Sequence, residues 1–316
     1  MPRLLMCGRA CALMALMAAS LALVAVAMAQ HQDLPGYSTA GADTCLRCHD
    51  DESDYPVLSV FETPHGATAD PAAPFANAQC ESCHGPGGDH TGRIRPGDER
   101  PPMLAFGENS IWPKARESEV CASCHQDVAR VHWQGSQHQR YDVGCTDCHT
   151  VHARRDPVTV STLQSQTCFE CHTRERAQSL QPSTHPVRQG QMTCSDCHQP
   201  HGSLTTAMLN RPTLNETCYD CHAEKRGPFL WEHAPVTEDC SSCHSPHGSI
   251  HPGMLERRAP LLCQECHSRA GHPSIAQTGS GLPGNSPSRM LLGGSCTNCH
   301  SQVHGSNHPS GSWLSR

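Results

Sequence analysis

The stretch CSDCHQPHGSLTTAML, residues 194–209, matches CSSCHSPHGSIHPGML, residues 240–255, almost position by position. Each copy opens with Cys-x-x-Cys-His, and the chain contains ten such pentapeptides, which use every cysteine after the first thirty residues. This pentapeptide is the attachment signature of c-type haem, because two thiols form thioethers to one porphyrin and the adjacent imidazole binds its iron. The repeat therefore predicts a chain organised around ten covalently bound haems.

The ten motifs, numbered first to tenth along the chain, supply the predicted attachment residues. The cysteines predicted to form thioethers are Cys45, Cys48, Cys80, Cys83, Cys121, Cys124, Cys145, Cys148, Cys168, Cys171, Cys194, Cys197, Cys218, Cys221, Cys240, Cys243, Cys263, Cys266, Cys296 and Cys299. The histidines predicted to bind iron from the motif side are His49, His84, His125, His149, His172, His198, His222, His244, His267 and His300. Zinc sites and a disulfide framework are disfavoured, because neither requires a histidine after every second cysteine.

The remaining histidines predict the second axial ligand. When the motifs are taken in consecutive pairs, one further histidine falls between the two motifs and another follows the second motif. The predicted distal ligands are His65, His90, His138, His152, His185, His201, His233, His247, His272 and His304. Ten candidates for ten irons favour bis-histidine, six-coordinate haem over methionine ligation, since the methionines hold no constant position relative to the motifs.

Four histidines are surplus to this set: His31, His132, His251 and His308. His251 falls opposite Thr205 when the two repeats are aligned, whereas His201 aligns with His247, so His251 is the weaker candidate. Too few residues separate His267 from His272 for both to reach one iron. His272 is therefore expected to bind a different haem, and spacing leaves open which iron each other distal histidine serves.

The first 29 residues are predicted to be a Sec signal peptide. Arg3 and Arg9 precede an apolar run over 10–26 and the small-residue site at 27–29. No later apolar run approaches the roughly 18 residues that suggest a spanning helix, so the mature chain is expected to be soluble. Without the two arginines, 21 basic residues face 30 acidic ones, which argues against nucleic-acid binding.

Composition predicts an unusual fold. Aromatic residues make up only 4% of the chain, and it contains 25 glycines and 25 prolines, so little ordinary core is available. The expected fold is mostly coil with short α-helices wrapped around an elongated stack of ten haems, with little or no β-structure. Helical character is predicted over 118–134 and 166–179, and loops over 93–113 and 277–287.

Four longer segments carry a family resemblance: residues 216–249, the loop CESCHGPGGDH at 80–90, residues 183–203, and SCTNCHSQVHGSNHPSG at 295–311. They resemble the periplasmic decahaem cytochromes of the MtrA, PioA and DmsE type. The resemblance implies two pentahaem halves, here 30–180 and 181–316, inside an outer-membrane β-barrel porin. It further implies conduction between periplasm and cell exterior, with inner-membrane or periplasmic electron carriers on one side and an outer-surface multihaem cytochrome or reductase on the other.

Two other functions compete with this conduit. A free periplasmic shuttle feeding a terminal reductase is the main alternative. A multihaem enzyme of nitrite-reductase or hydroxylamine-oxidising type is disfavoured, because such enzymes often replace one motif histidine with lysine and no motif here ends in lysine. No catalytic residue is predicted. The direction of electron flow and the terminal donor or acceptor, whether iron, another metal oxide or dimethyl sulfoxide, stay open.

Overall fold

The computed structural model describes residues 36–53, 55–267, 296–309 and 311–315. Throughout these ranges the chain is mostly coil and turn with short helices and isolated β-bridges, and it forms no strand, which confirms the predicted fold class. The α-helices described are α1 (Ala42–Cys45), α2 (Glu81–His84), α3 (Lys114–Ala122), α4 (Gln137–Arg140), α5 (Ser161–Phe169), α6 (Thr173–Ser179), α7 (Leu214–Tyr219), α8 (Ala234–Glu238) and α9 (Ala259–Gln264). The 3₁₀ turns described are Val57–Glu62, Pro64–Gly66, Pro74–Ala76, Gly88–His90, Val128–Arg130, Cys145–Asp147, Pro157–Thr159, Cys194–Asp196, Ala223–Lys225, Cys240–Ser242, Pro252–Met254 and Cys296–Asn298.

Every Cys-x-x-Cys-His motif forms one helical turn. In all ten, the backbone N–H of the histidine donates to the carbonyl of the first cysteine, at 2.8–3.0 Å. This is the hydrogen bond of an α-helical turn, and it places residues four apart on the same face. The first cysteine and the imidazole of each motif are thereby held side by side by the backbone alone.

The odd-numbered and even-numbered motifs begin differently. The first cysteine of each odd motif lies in an α-helix, namely α1, α3, α5, α7 or α9. The fourth, sixth, eighth and tenth motifs instead begin in a 3₁₀ turn. The sixth is held by a capping box, in which the Asp196 carboxylate accepts from the Thr193 N–H at 2.7 Å.

Two helix predictions are wrong in extent. The helix predicted over 118–134 is α3, which begins at Lys114 after the extended Pro113 and ends at Ala122, within the third motif. The helix predicted over 166–179 is divided into α5 and α6 by the fifth motif, where His172 leaves helical geometry (φ −84°, ψ 62°). In both cases the turn of the motif overrides local helix propensity. The loop predicted over 93–113 is confirmed, and 277–287 lies outside the described residues.

The internal repeat is reproduced in three dimensions. A β-bridge pairs His198 with Leu209 in the first copy and His244 with Leu255 in the second. Each motif histidine is therefore followed by a chain that turns back and pairs with it eleven residues later. In each copy the turn places a methionine in the left-handed backbone region at the same position, Met208 at φ 50° and Met254 at φ 54°.

Two compact units divide the chain. The first unit extends to His125 and includes Asp142–Asp156; the second comprises Gln126–Tyr141 and the chain from Pro157 onward. Among the described residues the buried apolar side chains are only Ala42, Val60, Ala73 and Phe75, all in the first unit. The protein's own apolar side chains thus contribute little core. No described helix combines the length and apolarity that a membrane crossing requires.

Candidate haem-binding sites

Histidine side chains meet in pairs, and each pair joins one motif histidine to one predicted distal histidine. Eight such pairs are described, with ring centres 5.9–6.3 Å apart. They are His49–His90, His125–His65, His84–His152, His172–His138, His222–His185, His198–His247, His267–His233 and His244–His304. His149, His201 and His300 complete the described members of the predicted set, and His272 lies outside the described residues.

The spacing of these pairs fits an iron atom between the two rings. A metal–imidazole bond is about 2 Å long, and the ring centre lies about 1.1 Å beyond the bonded nitrogen, so two axial imidazoles of one iron have centres about 6.2 Å apart. The eight observed distances lie within about 0.3 Å of that value. With two adjacent thiols beside each motif histidine, the donor set suits covalently attached c-type haem.

In nine of the motif and predicted distal histidines, the backbone holds the ring nitrogen Nδ1. Each Nδ1–H donates to a carbonyl oxygen at 2.6–3.0 Å, in His84, His90, His138, His152, His185, His198, His233, His244 and His300. A donor bond at Nδ1 leaves the Nε2 lone pair for a metal and orients the ring. The fold therefore presents these imidazoles as ligands through Nε2.

The pairing of histidines follows a register that links neighbouring motif pairs. From the third motif onward, the odd-motif histidines His125, His172, His222 and His267 each meet a histidine located between the two motifs of the preceding pair. The even-motif histidines His84, His198 and His244 each meet a histidine that follows the next even motif. Motif spacing alone does not determine these partners.

The two motifs of a pair are neighbours in space. In the later pairs the helix that carries the odd motif contacts the turn that carries the even motif: α3 contacts Cys145–Asp147, α5 contacts Cys194–Asp196, α7 contacts Cys240–Ser242 and α9 contacts Cys296–Asn298. In the first pair, Ala42 N in α1 donates to Oε1 of Gln79, the residue before the second motif.

Polar side chains that sequence reasoning missed hold the two motifs of a pair together. Oγ of Ser118 accepts from Cys145 N at 3.3 Å, and Oδ1 of Asn215 accepts from Cys240 N at 2.8 Å. Oε1 of Gln164 plays the same part with Ser195 N, at 3.1 Å. In each case the side chain lies three or four residues before the first cysteine of the odd motif. A polar residue at that offset is the sequence signal that could have identified them.

A buried carboxylate adds to this arrangement in the first unit. Glu117 is fully buried, and it accepts from Gly107 N at 3.2 Å and from the Thr146 hydroxyl at 2.9 Å. Burial opposes ionisation of this carboxyl, but hydrogen bonds from Ser110, Thr146 and Gly107 and the charge of Lys114 outweigh it and lower its pKa. Glu117 thus ties the loop at Gly107 to the fourth motif.

Two of the surplus histidines, His251 and His308, form hydrogen bonds through their backbones. His251 N donates to Ser249 Oγ at 3.1 Å, and the same hydroxyl donates back to the His251 carbonyl at 3.1 Å. The His308 carbonyl accepts from Trp231 Nε1 at 3.1 Å. His31 lies outside the described residues. That the surplus histidines are not axial ligands stays a prediction.

Histidine pairs whose spacing suits one iron and doubled thiol motifs are the features of a multihaem c-type cytochrome. The family model described as "Doubled CXXCH motif" matches residues 73–130, 138–177, 185–227 and 233–272, and the chain belongs to this family. It is also 53% identical over 282 residues to "Multiheme cytochrome MtrA" of Shewanella baltica (strain OS185), covering 89% of this chain and 83% of that relative. The resemblance to MtrA-type cytochromes is thereby confirmed, and the protein is a multihaem electron-transfer cytochrome with covalently bound c-type haems, not an enzyme.

Proposed function

We propose that this cytochrome carries ten haems, each between two histidines, and conducts electrons across the outer membrane inside a porin. The twenty motif cysteines form the thioethers, and the ten motif histidines with the ten predicted distal histidines bind the irons. Residues 1–29 direct export and are then removed, and the mature protein works in the periplasm, attached to the outer membrane through the porin. Periplasmic or inner-membrane carriers and an outer-surface cytochrome or reductase exchange electrons with its two ends.

The observation that carries this proposal is the neighbour relation of the motifs. Within a motif pair the odd-motif helix contacts the even-motif turn, as α3 does with Cys145–Asp147 and α7 with Cys240–Ser242, and histidine contacts such as His125 with His65 join successive pairs. Haems attached at these motifs therefore follow one another in chain order within each unit. A hydrocarbon layer about 30 Å thick is too wide for one electron-transfer step, and a succession of neighbouring haems divides that distance into short steps.

Axial saturation supports electron transfer as the activity. Iron held by two imidazoles has no open coordination position for a substrate, and its geometry changes little on reduction. Contacts that link each haem position to the next motif pair, such as His125 with His65 and His198 with His247, also hold the positions at constant separation. Constant separation favours transfer along the series.

The resemblance and the nature of the fold support the porin. A chain that is mostly coil has backbone polar groups that cannot face hydrocarbon without hydrogen-bond partners. A surrounding porin would keep those groups away from lipid while the haems cross the membrane. The free periplasmic shuttle requires no such partner and is the competing outcome.

Reconstitution tests the conduit. The mature holoprotein, purified with its porin and inserted into liposomes, is expected to let an external reductant reduce an electron acceptor sealed inside. The double variant Cys296→Ala with Cys299→Ala removes the tenth attachment site and should slow this transfer much more than it disturbs the other nine haems. Undiminished transfer in that variant would argue for several exits, and failure to associate with any porin would favour the shuttle.

The ligand set is tested separately by counting haems and spin states. Ten haems per chain are expected from a pyridine haemochrome assay, and electron paramagnetic resonance of the oxidised protein should show low-spin haem throughout. A high-spin signal equal to one haem in ten would show that the histidine assignment is incomplete.

A further inference from the structure

The imidazole of His149, in the fourth motif, has a different Nδ1 partner from the nine backbone-held histidines. Its Nδ1–H donates to Asp156 Oδ2 at 2.6 Å. The acceptor is a carboxylate, whereas the equivalent motif histidines His198 and His244 donate to the carbonyls of Ala207 and Gly253 at 2.8 Å. The fourth motif thus replaces a neutral acceptor with a charged one at the same ring nitrogen.

The carboxylate is held in position by the backbone of its own loop. Asp156 Oδ1 accepts from Thr150 N at 3.2 Å, so the two oxygens bind consecutive residues, His149 and Thr150. The side chain of Asp156 is 21% exposed and that of His149 39% exposed. Partial shielding from water leaves the charge more effective than a fully solvated carboxylate would be.

Two other motif histidines have a carboxylate nearby without a hydrogen bond to it. His172 Nδ1 lies 3.8 Å from Glu175, and His222 Nδ1 lies 3.8 Å from Glu224. These separations exceed hydrogen-bonding distance. A charged acceptor bonded directly to the ring strengthens the bond and raises the basicity of the imidazole, which a carboxylate at ion-pair distance does much less.

We propose that Asp156 is a positioning residue that lowers the reduction potential of the haem bound at the fourth motif. The inference rests on the proposed ligation of that iron by His149. A more basic imidazole donates more strongly to iron and favours the ferric state, which carries one more positive charge than the ferrous state. The haem of the fourth motif is then oxidised more readily than it would be with a backbone carbonyl as the acceptor. Its reduction potential therefore lies below those of haems whose motif histidines donate to carbonyls.

The test is the substitution Asp156→Asn in the haem-loaded protein. It keeps an oxygen acceptor of the same size but removes the charge, as in the backbone-held histidines. Outer-shell partners change the metal affinity of a ligand by about 10- to 100-fold, and we expect a tenfold shift toward the ferrous state, about 59 mV for one electron. In a potentiometric titration followed by haem absorbance, the shift should affect one haem in ten and move its potential upward.

Two further variants control for charge and for folding. Glu224→Gln removes the same charge beside His222 without breaking a hydrogen bond. It should change the ferric-to-ferrous ratio of one haem by less than threefold. Asp156→Glu retains a carboxylate and should lie closer to the parent than Asp156→Asn does, even if Asp156→Asn lowers haem loading.

The outcomes separate this inference from the proposed ligation. A low-spin parent with unchanged potentials in Asp156→Asn, or equal shifts in Asp156→Asn and Glu224→Gln, would overturn the role of Asp156. A high-spin haem in the parent that is traced to the fourth motif would instead overturn the ligation on which the inference rests. An upward shift confined to one low-spin haem and largely reversed in Asp156→Glu supports it.

Discussion

The two units hold their motifs in place with different chemical groups. In the first unit the groups are carboxylates: Glu81, only 4% exposed, accepts from Ser38 N at 3.1 Å and Gly87 N at 2.6 Å, and Glu117 and Asp156 bind loops around the fourth motif. In the second unit the side chains that join the two motifs of a pair are neutral: the amides of Gln164 and Asn215 bind the sixth and eighth motifs, whereas the Asp196 carboxylate caps only the turn of its own motif. Links between separate segments therefore include buried carboxylates in the first unit and amides in the second.

Backbone hydrogen bonds contribute more to holding the motif histidines in the second unit than in the first. The copies at 194–209 and 240–255 bind their motif histidines through carbonyls and β-bridges, which a side-chain substitution cannot remove. The glycine after each distal histidine, Gly202 and Gly248, has a positive φ and lies directly against backbone of another segment. Substitutions that alter the backbone should thus damage the second unit most, and changes of charge or pH should damage the first.

The largest effect is expected from removing a distal ligand of the repeat. His247→Ala should convert one haem in ten from low-spin to high-spin or water-ligated, because His247 faces His198 across 6.0 Å. His251→Ala is the matched control, since its backbone rather than its ring forms the turn with Ser249. Electron paramagnetic resonance of the oxidised variants measures both, and a high-spin signal in His251→Ala alone would reverse the assignment.

A smaller but substantial effect is expected at the glycine that follows. Gly248 has φ +133°, and a Cβ there would collide with the carbonyl of Gln178, so Gly248→Ala should cost about 2 to 3 kcal/mol in the free energy of unfolding. Gly253 has φ +70° and open space around it. Gly253→Ala should therefore lower the free energy of unfolding only by the cost of a left-handed alanine, about 1 kcal/mol.

Thermal unfolding of the two haem-loaded variants provides the comparison. Equal losses would show that the close approach of Gly248 to the Gln178 backbone is unimportant.

The first unit should respond to acid through Glu117. Its pKa is lowered from the ordinary 4.5, so its contribution to stability is present above that value and is lost as pH falls through the lower, folded-state pKa. Glu117→Gln should reduce stability by about 1 to 2 kcal/mol at neutral pH, with the difference from the parent shrinking below pH 4.5.

Asn215→Ala in the second unit is the control, because an amide does not titrate. Its difference from the parent, measured by denaturant unfolding between pH 3 and 7, should stay constant across that range. A constant difference for Glu117→Gln as well would contradict the charge-based role of Glu117.

The smallest effect is expected for an exposed charge in the second unit. Asp220 accepts from Arg211 Nε at 2.8 Å on the surface, where such pairs contribute little. Asp220→Asn should leave the melting temperature of the haem-loaded protein unchanged within error. A clear loss would mean that charge matters in the second unit as it does in the first.

Sequence reasoning predicted the local features well and the long-range partners poorly. Motif cysteines and histidines are recognisable because one helical turn joins them, and the repeat predicted that His201 and His247 occupy equivalent positions. The ends of α3 and α5 were misjudged, because helix propensity continues through residues where the motif turns the chain away. The contacts of Glu117 with Gly107 and Thr146 had no sequence signal, because their partners lie in separate segments.

The sequence by itself determined the covalent chemistry, the number of attachment motifs and the coil-rich, strand-poor fold, because each depends on residue types within a few positions of one another. Only the tertiary structure decided which histidine faces which, that His125 meets His65 and His198 meets His247, and that His149 donates to Asp156. The two histidine pairs join segments 60 and 49 residues apart, whereas Asp156 meets His149 through the conformation of one loop. Chain folding sets both kinds of contact, and no local pattern of residues records which side chains meet.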